Sequence, residues 1–77
     1  MNEKLTMPTM KKIDSQRASS MIREARKRNR ISLEALSDKM KISISYLHAL
    51  EHGDRRMTEN LFTLAALSIN ELKQNNK

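Results

Sequence analysis

The chain has one glycine, Gly53, and one proline, Pro8, among 77 residues. A sandwich or barrel needs turn-forming residues about every 8–12 positions, so this count argues against an all-β or loop-rich fold and favours helices joined by short turns. At this length the chain makes one small domain, and cores of fewer than roughly 80 residues are marginal. Aromatic filler is limited to Tyr46 and Phe62, with six methionines as flexible packing material. The absence of cysteine excludes a disulfide framework and thiolate metal ligation. No apolar run approaches the ~18 residues of a membrane span, and no secretory apolar stretch opens the chain. The expectation is a cytoplasmic, all-α domain with an anionic partner, no membrane contact and no cofactor.

The net charge of +6 is unevenly placed. Residues 1–30 hold nine basic groups (Lys4, Lys11, Lys12, Arg17, Arg23, Arg26, Lys27, Arg28, Arg30) against three acids (Glu3, Asp14, Glu24), and the remainder of the chain is balanced. The densest run, Arg26-Lys27-Arg28-Asn29-Arg30, falls at the end of a predicted helix. It reads either as a solvated face that complements the helix dipole or as a surface that attracts phosphate.

Residues 1–13 show no sustained period and are expected to form a flexible basic arm. Asp14 or Ser15 can cap a first helix carrying Ala18, Ile22 and Ala25, with Asn29 as its left-handed terminator. Ser32 caps a second, short helix with Leu33, Leu36 and Met40 at helical spacing. Ser43 caps a third, which carries Leu47 and Leu50 inward and ends at Gly53 near His52. Thr58 caps a fourth, with Leu61, Leu64 and Ala65 expected in the core. At Ser68-Ile69-Asn70-Glu71 a capping box would start a fifth helix. Alternatively helix four runs on to about Lys73, leaving Phe62, Ala66, Ile69 and Leu72 as a surplus apolar stripe suited to a subunit contact. The domain is then 14–73, with a polar tail at 74–77.

Two short helices around a tight turn, with apolar Leu36, Met40, Ile42, Leu47 and Leu50, form a helix-turn-helix pattern. A duplex major groove admits one helix, which must project from a rigid support. Ile44, Ser45, His48 and Ala49 would face outward from the third helix, and as they are mostly small the backbone could approach base edges closely.

From about Ile22 to Leu64 the sequence resembles the phage-repressor/Cro type of helix-turn-helix, the XRE-like family. Ile22-Arg23-Glu24-Ala25-Arg26 is similar to its first helix and Ile31-Ser32-Leu33-Glu34-Ala35-Leu36 to the start of its second. Ser43-Ile44-Ser45-Tyr46-Leu47-His48-Ala49-Leu50-Glu51-His52-Gly53 resembles its third helix and terminating glycine. Ser45 to Thr58 is especially similar to the small controller proteins of restriction–modification systems. The resemblance implies a compact four- to five-helix, lambda-repressor-like domain. It also implies an Arg26–Glu51 ion pair tying helix one to helix three, and base reading by Ser43, Ile44, Ser45, His48 and Ala49. Phosphate contacts would come from Arg28, Arg30, Ser32, Lys41, Arg55 and Arg56. Tyr46 is either a further phosphate contact or a half-buried packing residue.

The sequence departs from the family at several places, among them Leu64 to Leu72, about three residues shorter than the usual passage from the fourth to the fifth helix. Leu33 replaces a phosphate-donating glutamine, the small residue expected after Leu36 is Ser37, and Lys41 replaces the glycine of the turn, a strained position for any other residue. Ile44 cannot hydrogen-bond a base, so specificity would rest on thymine methyls, hydroxyls, His48 and DNA shape. His48-Ala49-Leu50-Glu51-His52 spells H-x-x-E-H, a zinc-protease pattern, but a third ligand and a cleft are missing. The expected function is therefore a non-enzymatic, sequence-specific transcriptional regulator, an autoregulatory repressor or controller. It would act as a homodimer on a two-fold DNA operator, with control by its own concentration or by a partner chain such as a toxin or phage protein. The alternative is a protein-interaction module on the same fold that has lost DNA reading.

Overall fold

The computed structural model describes residues 14–75, with side chains described through residue 73. The expected arm at 1–13 and the side chains of the expected tail at 74–77 lie outside these residues. Four helices follow in order: α1 (Ser15–Arg28), α2 (Leu33–Met40), α3 (Ile44–Glu51) and α4 (Glu59–Asn75). The domain is all-α, with a helix-turn-helix formed by α2 and α3.

Each helix starts on a short polar side chain that satisfies an otherwise free N–H of the first turn. Asp14 accepts from Arg17 N–H at 3.2 Å, Ser32 from Ala35 at 2.9 Å, Ser43 from Tyr46 at 3.0 Å and Thr58 from Leu61 at 3.2 Å. The ends of α1, α2 and α3 share a second device. A left-handed residue follows the helix, its N–H reaches back three residues, and the next N–H reaches back five. At α1 the left-handed residue is Arg30 (φ 57), with Arg30 N–H on Lys27 and Ile31 N–H on Arg26, each at 3.0 Å. Lys41 (φ 65) and Gly53 (φ 82) repeat this geometry after α2 and α3. The expected terminator Asn29 is thus corrected to Arg30. Asn29 instead donates its side-chain amide to Ala25 C=O at 2.7 Å, which holds it in a helical turn conformation.

Ala18, Ile22, Ile31, Leu36, Met40, Leu47, Leu50, Met57, Ala65 and Ile69 form one buried core. α4 packs on α1 and α2, and α3 packs on α2 and α1. Full burial of Leu36, Leu47, Leu50 and Met57 stabilises the fold by about 1.5–3 kcal/mol for each side chain.

α4 is continuous through Ser68, so no fifth helix begins there. Its inward phase also differs from expectation. Ala65, Ser68 and Ile69 are buried, with Leu61, Phe62 and Leu72 half-buried against the core. Leu64 is 39% exposed and Leu67 is 58% exposed. Ile69 and Leu72 therefore belong to the core side rather than to a free stripe, because Ala65, Ile69 and Leu72 recur at i, i+4 and i+7. Of the expected surplus stripe only Ala66 is exposed.

Candidate nucleic-acid interface

A buried ion pair holds α3 against α1. Arg26 Nε donates to Glu51 Oε2 at 2.7 Å and Nη2 to Oε1 at 3.0 Å, a two-pronged contact. Nη1 donates to Ile31 C=O at 2.9 Å, so the same guanidinium holds the turn leading into α2. The Arg26 and Glu51 side chains are 11% and 0% exposed. Arg23, one turn earlier on α1, adds a 3.1 Å bond from Nη1 to Glu51 C=O. Arg23 stands outside the site residues expected from the sequence; its i, i+3 spacing from Arg26 is the signal that marks it. α1 therefore orients the C-terminal end of α3 through two guanidinium groups.

With its underside held, α3 presents its other face. Ile44 is 44% exposed, Ser43, Ser45 and His48 are exposed, and Ala49 is half-buried. Ser43 has a second task, since its hydroxyl oxygen caps α3; that leaves its O–H free to donate. Tyr46 is half-buried and packs against the core, which agrees with the packing reading of that side chain. His48 and His52 stack with ring centroids 4.1 Å apart, and both are exposed. Glu51 is locked inside with Arg26, so the H-x-x-E-H residues do not converge on a common point.

Exposed cations lie at the helix ends and connections that flank α2 and α3 along the chain. Arg28 stands exposed at the end of α1, Arg30 at the turn before α2, Lys41 at the turn before α3, and Arg55 and Arg56 in the loop after it. That loop is fixed at both ends. Asp54 and Arg55 donate N–H groups to Ala49 C=O at 2.9 and 3.3 Å, while buried Met57 donates its N–H to Ser15 Oγ at 2.8 Å. Ser32 is exposed and caps α2, and the free N–H groups of that helix start make a local positive pole. Leu33, in the place of the family glutamine, is half-buried against the core. Acids occupy one flank: Ser32, Glu34, Ala35, Asp38 and Ile44 line an open hollow between α2 and the start of α3. Glu34 and Asp38 thus put negative charge beside the start of α3, while Arg28, Arg30, Lys41, Arg55 and Arg56 put positive charge at the helix ends and connections.

Arg30-Ile31-Ser32 and Lys41-Ile42-Ser43 are structural copies of one connection: a left-handed cation, an apolar residue turned inward and a capping serine. Ile31 is buried and Ile42 half-buried. Glycine would occupy a left-handed position without steric cost. Two of the three such positions here carry a basic residue instead.

No curated protein and no solved structure matches the chain. A family model described as a helix-turn-helix domain matches residues 20–77, a span that takes in the last part of α1, the α2–turn–α3 unit and all of α4. With the match covering most of its length, the chain belongs to this helix-turn-helix domain family, an XRE-like group whose fold carries DNA binding and transcription regulation.

Proposed function

We propose that the protein is a sequence-specific transcriptional regulator that binds duplex DNA as a homodimer on a two-fold operator upstream of its own gene. The observation that carries this reading is the division of labour on α3. Its buried side is tied by Arg26 and Arg23, and its other side leaves Ile44, Ser45 and His48 exposed between cationic turns. Arg28, Arg30, Lys41, Arg55 and Arg56, with the helix start at Ser32, take phosphates, which position the domain without reading sequence. Ser43, Ser45, His48 and Ala49 meet base edges, and Ile44 packs on a thymine methyl. Nothing in this scheme requires a reaction, so the role is binding rather than catalysis.

Anisotropy titration of the protein on its upstream region and on random duplex, at several salt concentrations, tests the proposal. Tighter binding to the upstream duplex, with affinity falling steeply as salt rises, is the expected result. Equal binding to both duplexes at every salt concentration would refute sequence-specific reading. One observation favours the second reading, a protein-interaction module. Ile44, at the leading end of α3, is an exposed apolar residue. Under that reading Ile44→Ser abolishes capture of a protein partner and leaves duplex affinity unchanged.

A further inference from the structure

We propose that the hollow between α1 and the C-terminal end of α3 binds a phosphate group, held by the Arg23 guanidinium and the hydroxyls of Ser19 and Ser20. The proposal goes beyond the DNA reading and stands without it.

The hollow begins with a pattern on α1. Gln16, Ser19, Ser20 and Arg23 recur at i, i+3, i+4 and i+7, so they form one stripe along the helix. A stripe with this spacing that faces another element is ordinarily apolar, as Ala18, Ile22 and Ala25 are on the core side. This one carries only hydrogen-bonding side chains. It lines a hollow of about 140 Å³ whose other wall is residues 51–53, at the end of α3.

Ser19 supplies the observation that points to a ligand. It is 3% exposed, and among the described residues its hydroxyl is the one buried side-chain polar atom without a hydrogen-bond partner. Leaving a buried hydroxyl unpaired is unfavourable. Helical serines can avoid this by donating to a carbonyl one turn back. Ser37, buried on α2, does so to Glu34 C=O at 3.1 Å; Ser19 does not. Its O–H is available to an acceptor in the hollow.

The charge of the lining decides which acceptor. Arg23 is half-buried, and its Nη1 donates to Glu51 C=O, a neutral oxygen, at 3.1 Å. Among the described residues the ion pairs are Arg26–Glu51 and Lys39–Glu71, so no carboxylate there pairs with Arg23. Glu51 lines the hollow, but its carboxylate is buried and Arg26 takes both oxygens. The lining therefore holds one uncompensated guanidinium, with hydroxyl and amide donors beside it and no free acid. A phosphate group presents strong acceptor oxygens in a tetrahedral array, so it can meet a guanidinium and hydroxyls that approach from different directions. A carboxylate offers two oxygens in one plane. Because Arg23 already ties the end of α3 to α1, a phosphate beside it bridges the same two elements. A free phosphate or phosphate monoester and a backbone phosphate of the duplex both present this chemistry.

Inorganic phosphate is the probe, added to the full-length chain without DNA at constant ionic strength and followed by amide chemical shifts. Saturable binding with a Kd at or below about 1 mM is expected, with the largest shifts at Ser19, Ser20, Arg23 and Gly53. Phosphate at about ten times its Kd multiplies the folding equilibrium constant about elevenfold, a rise of roughly 6–11 °C in melting temperature. Arg23→Gln should weaken phosphate binding about tenfold or more, and Arg55→Gln, outside the hollow, should leave it unchanged. Ser19→Ala keeps the readout clear of folding, because it removes an unpaired hydroxyl. Without phosphate it should melt no lower than the native chain, and with phosphate it should gain less. Shifts that spread over all the basic turns without saturating, or equal losses in Arg23→Gln and Arg55→Gln, would mean charge screening only and overturn the site. So would a phosphate gain in Ser19→Ala equal to that of the native chain. Addition of duplex then identifies the source. If duplex displaces phosphate and Arg23→Gln lowers the salt slope by about 0.9, the hollow takes a backbone phosphate; if both bind together, it takes a free one. Failure of any duplex to bind would remove the DNA reading and leave the phosphate site standing.

Discussion

Removal of the carboxylate at Glu51 is the most informative single perturbation of this fold. The side chain has no exposure, and both of its oxygens receive hydrogen bonds from Arg26 at 2.7 and 3.0 Å. In Glu51→Ala the guanidinium stays largely buried, keeps its bond to Ile31 C=O and loses its counter-charge. Breaking a buried pair on one side typically costs about 3–5 kcal/mol. A domain of this size has a total stability of only roughly 4–12 kcal/mol. With about 4–8 °C of melting temperature per kcal/mol for so small a domain, Glu51→Ala should melt at least about 12 °C below the native chain. Thermal and urea denaturation followed by far-UV circular dichroism measures the shift. A double variant, Arg26→Met with Glu51→Leu, replaces the pair by apolar groups of similar volume and should recover most of the stability. It should not recover affinity for the upstream duplex, because the two-pronged contact that sets the orientation of α3 is gone. If Glu51→Ala melted within a few degrees of the native chain, or if the double variant were as unstable as the single one, the pair would not be the buried tie described here.

Other perturbations separate anchoring from reading. Lys41→Gly relieves a left-handed lysine and should stabilise the fold by about 0.5–1 kcal/mol. The same change should weaken duplex binding and reduce the slope of log affinity against log salt by about 0.9; an unchanged slope would remove Lys41 from the phosphate contacts. Arg55→Ala should lower the salt slope by a similar amount and weaken all duplexes alike, with its melting temperature barely moved. Ser45→Ala and His48→Ala should narrow the difference between operator and random duplex more than they weaken binding to random duplex, as measured by competition titration. In Gly53→Ala the added methyl meets open space, with no atom within 4 Å, so the cost comes from the left-handed backbone alone, about 1 kcal/mol by urea titration.

The local parts of this fold were legible in the sequence and the relative phase of α4 was not. Asp14, Ser32, Ser43 and Thr58 cap the helices as read, because a cap is decided by the few residues around it. Gly53 marked the end of α3 for the same reason. Spacing alone places Leu36, Met40, Leu47 and Leu50 in the core, since α2 and α3 each carry a single narrow apolar stripe. α4 has apolar side chains over more than half its circumference, and periodicity cannot choose among several apolar phases. The packing of α1 and α2 against it makes the choice, drawing in Ile69 and turning out Leu64. The Arg26–Glu51 pair spans 25 positions and was reached only through the family resemblance. The left-handed place after α1 went to Arg30 rather than Asn29. The parallel between Arg30-Ile31-Ser32 and Lys41-Ile42-Ser43 would have located it, because the cation precedes the capping serine by two residues in both.

The bond from Met57 N–H to Ser15 Oγ joins residues 42 positions apart and has a bearing on energetics beyond the turn it closes. Between that knot and the Ala49 carbonyl, the segment with Arg55 and Arg56 is a short bridge moored at both banks. Its backbone freedom is surrendered once, during folding, and little is left to lose when an anion arrives. Arginines on a slack loop would forfeit part of any attraction to backbone ordering at every encounter; on a moored one, only the ordering of the side chains would remain to be met.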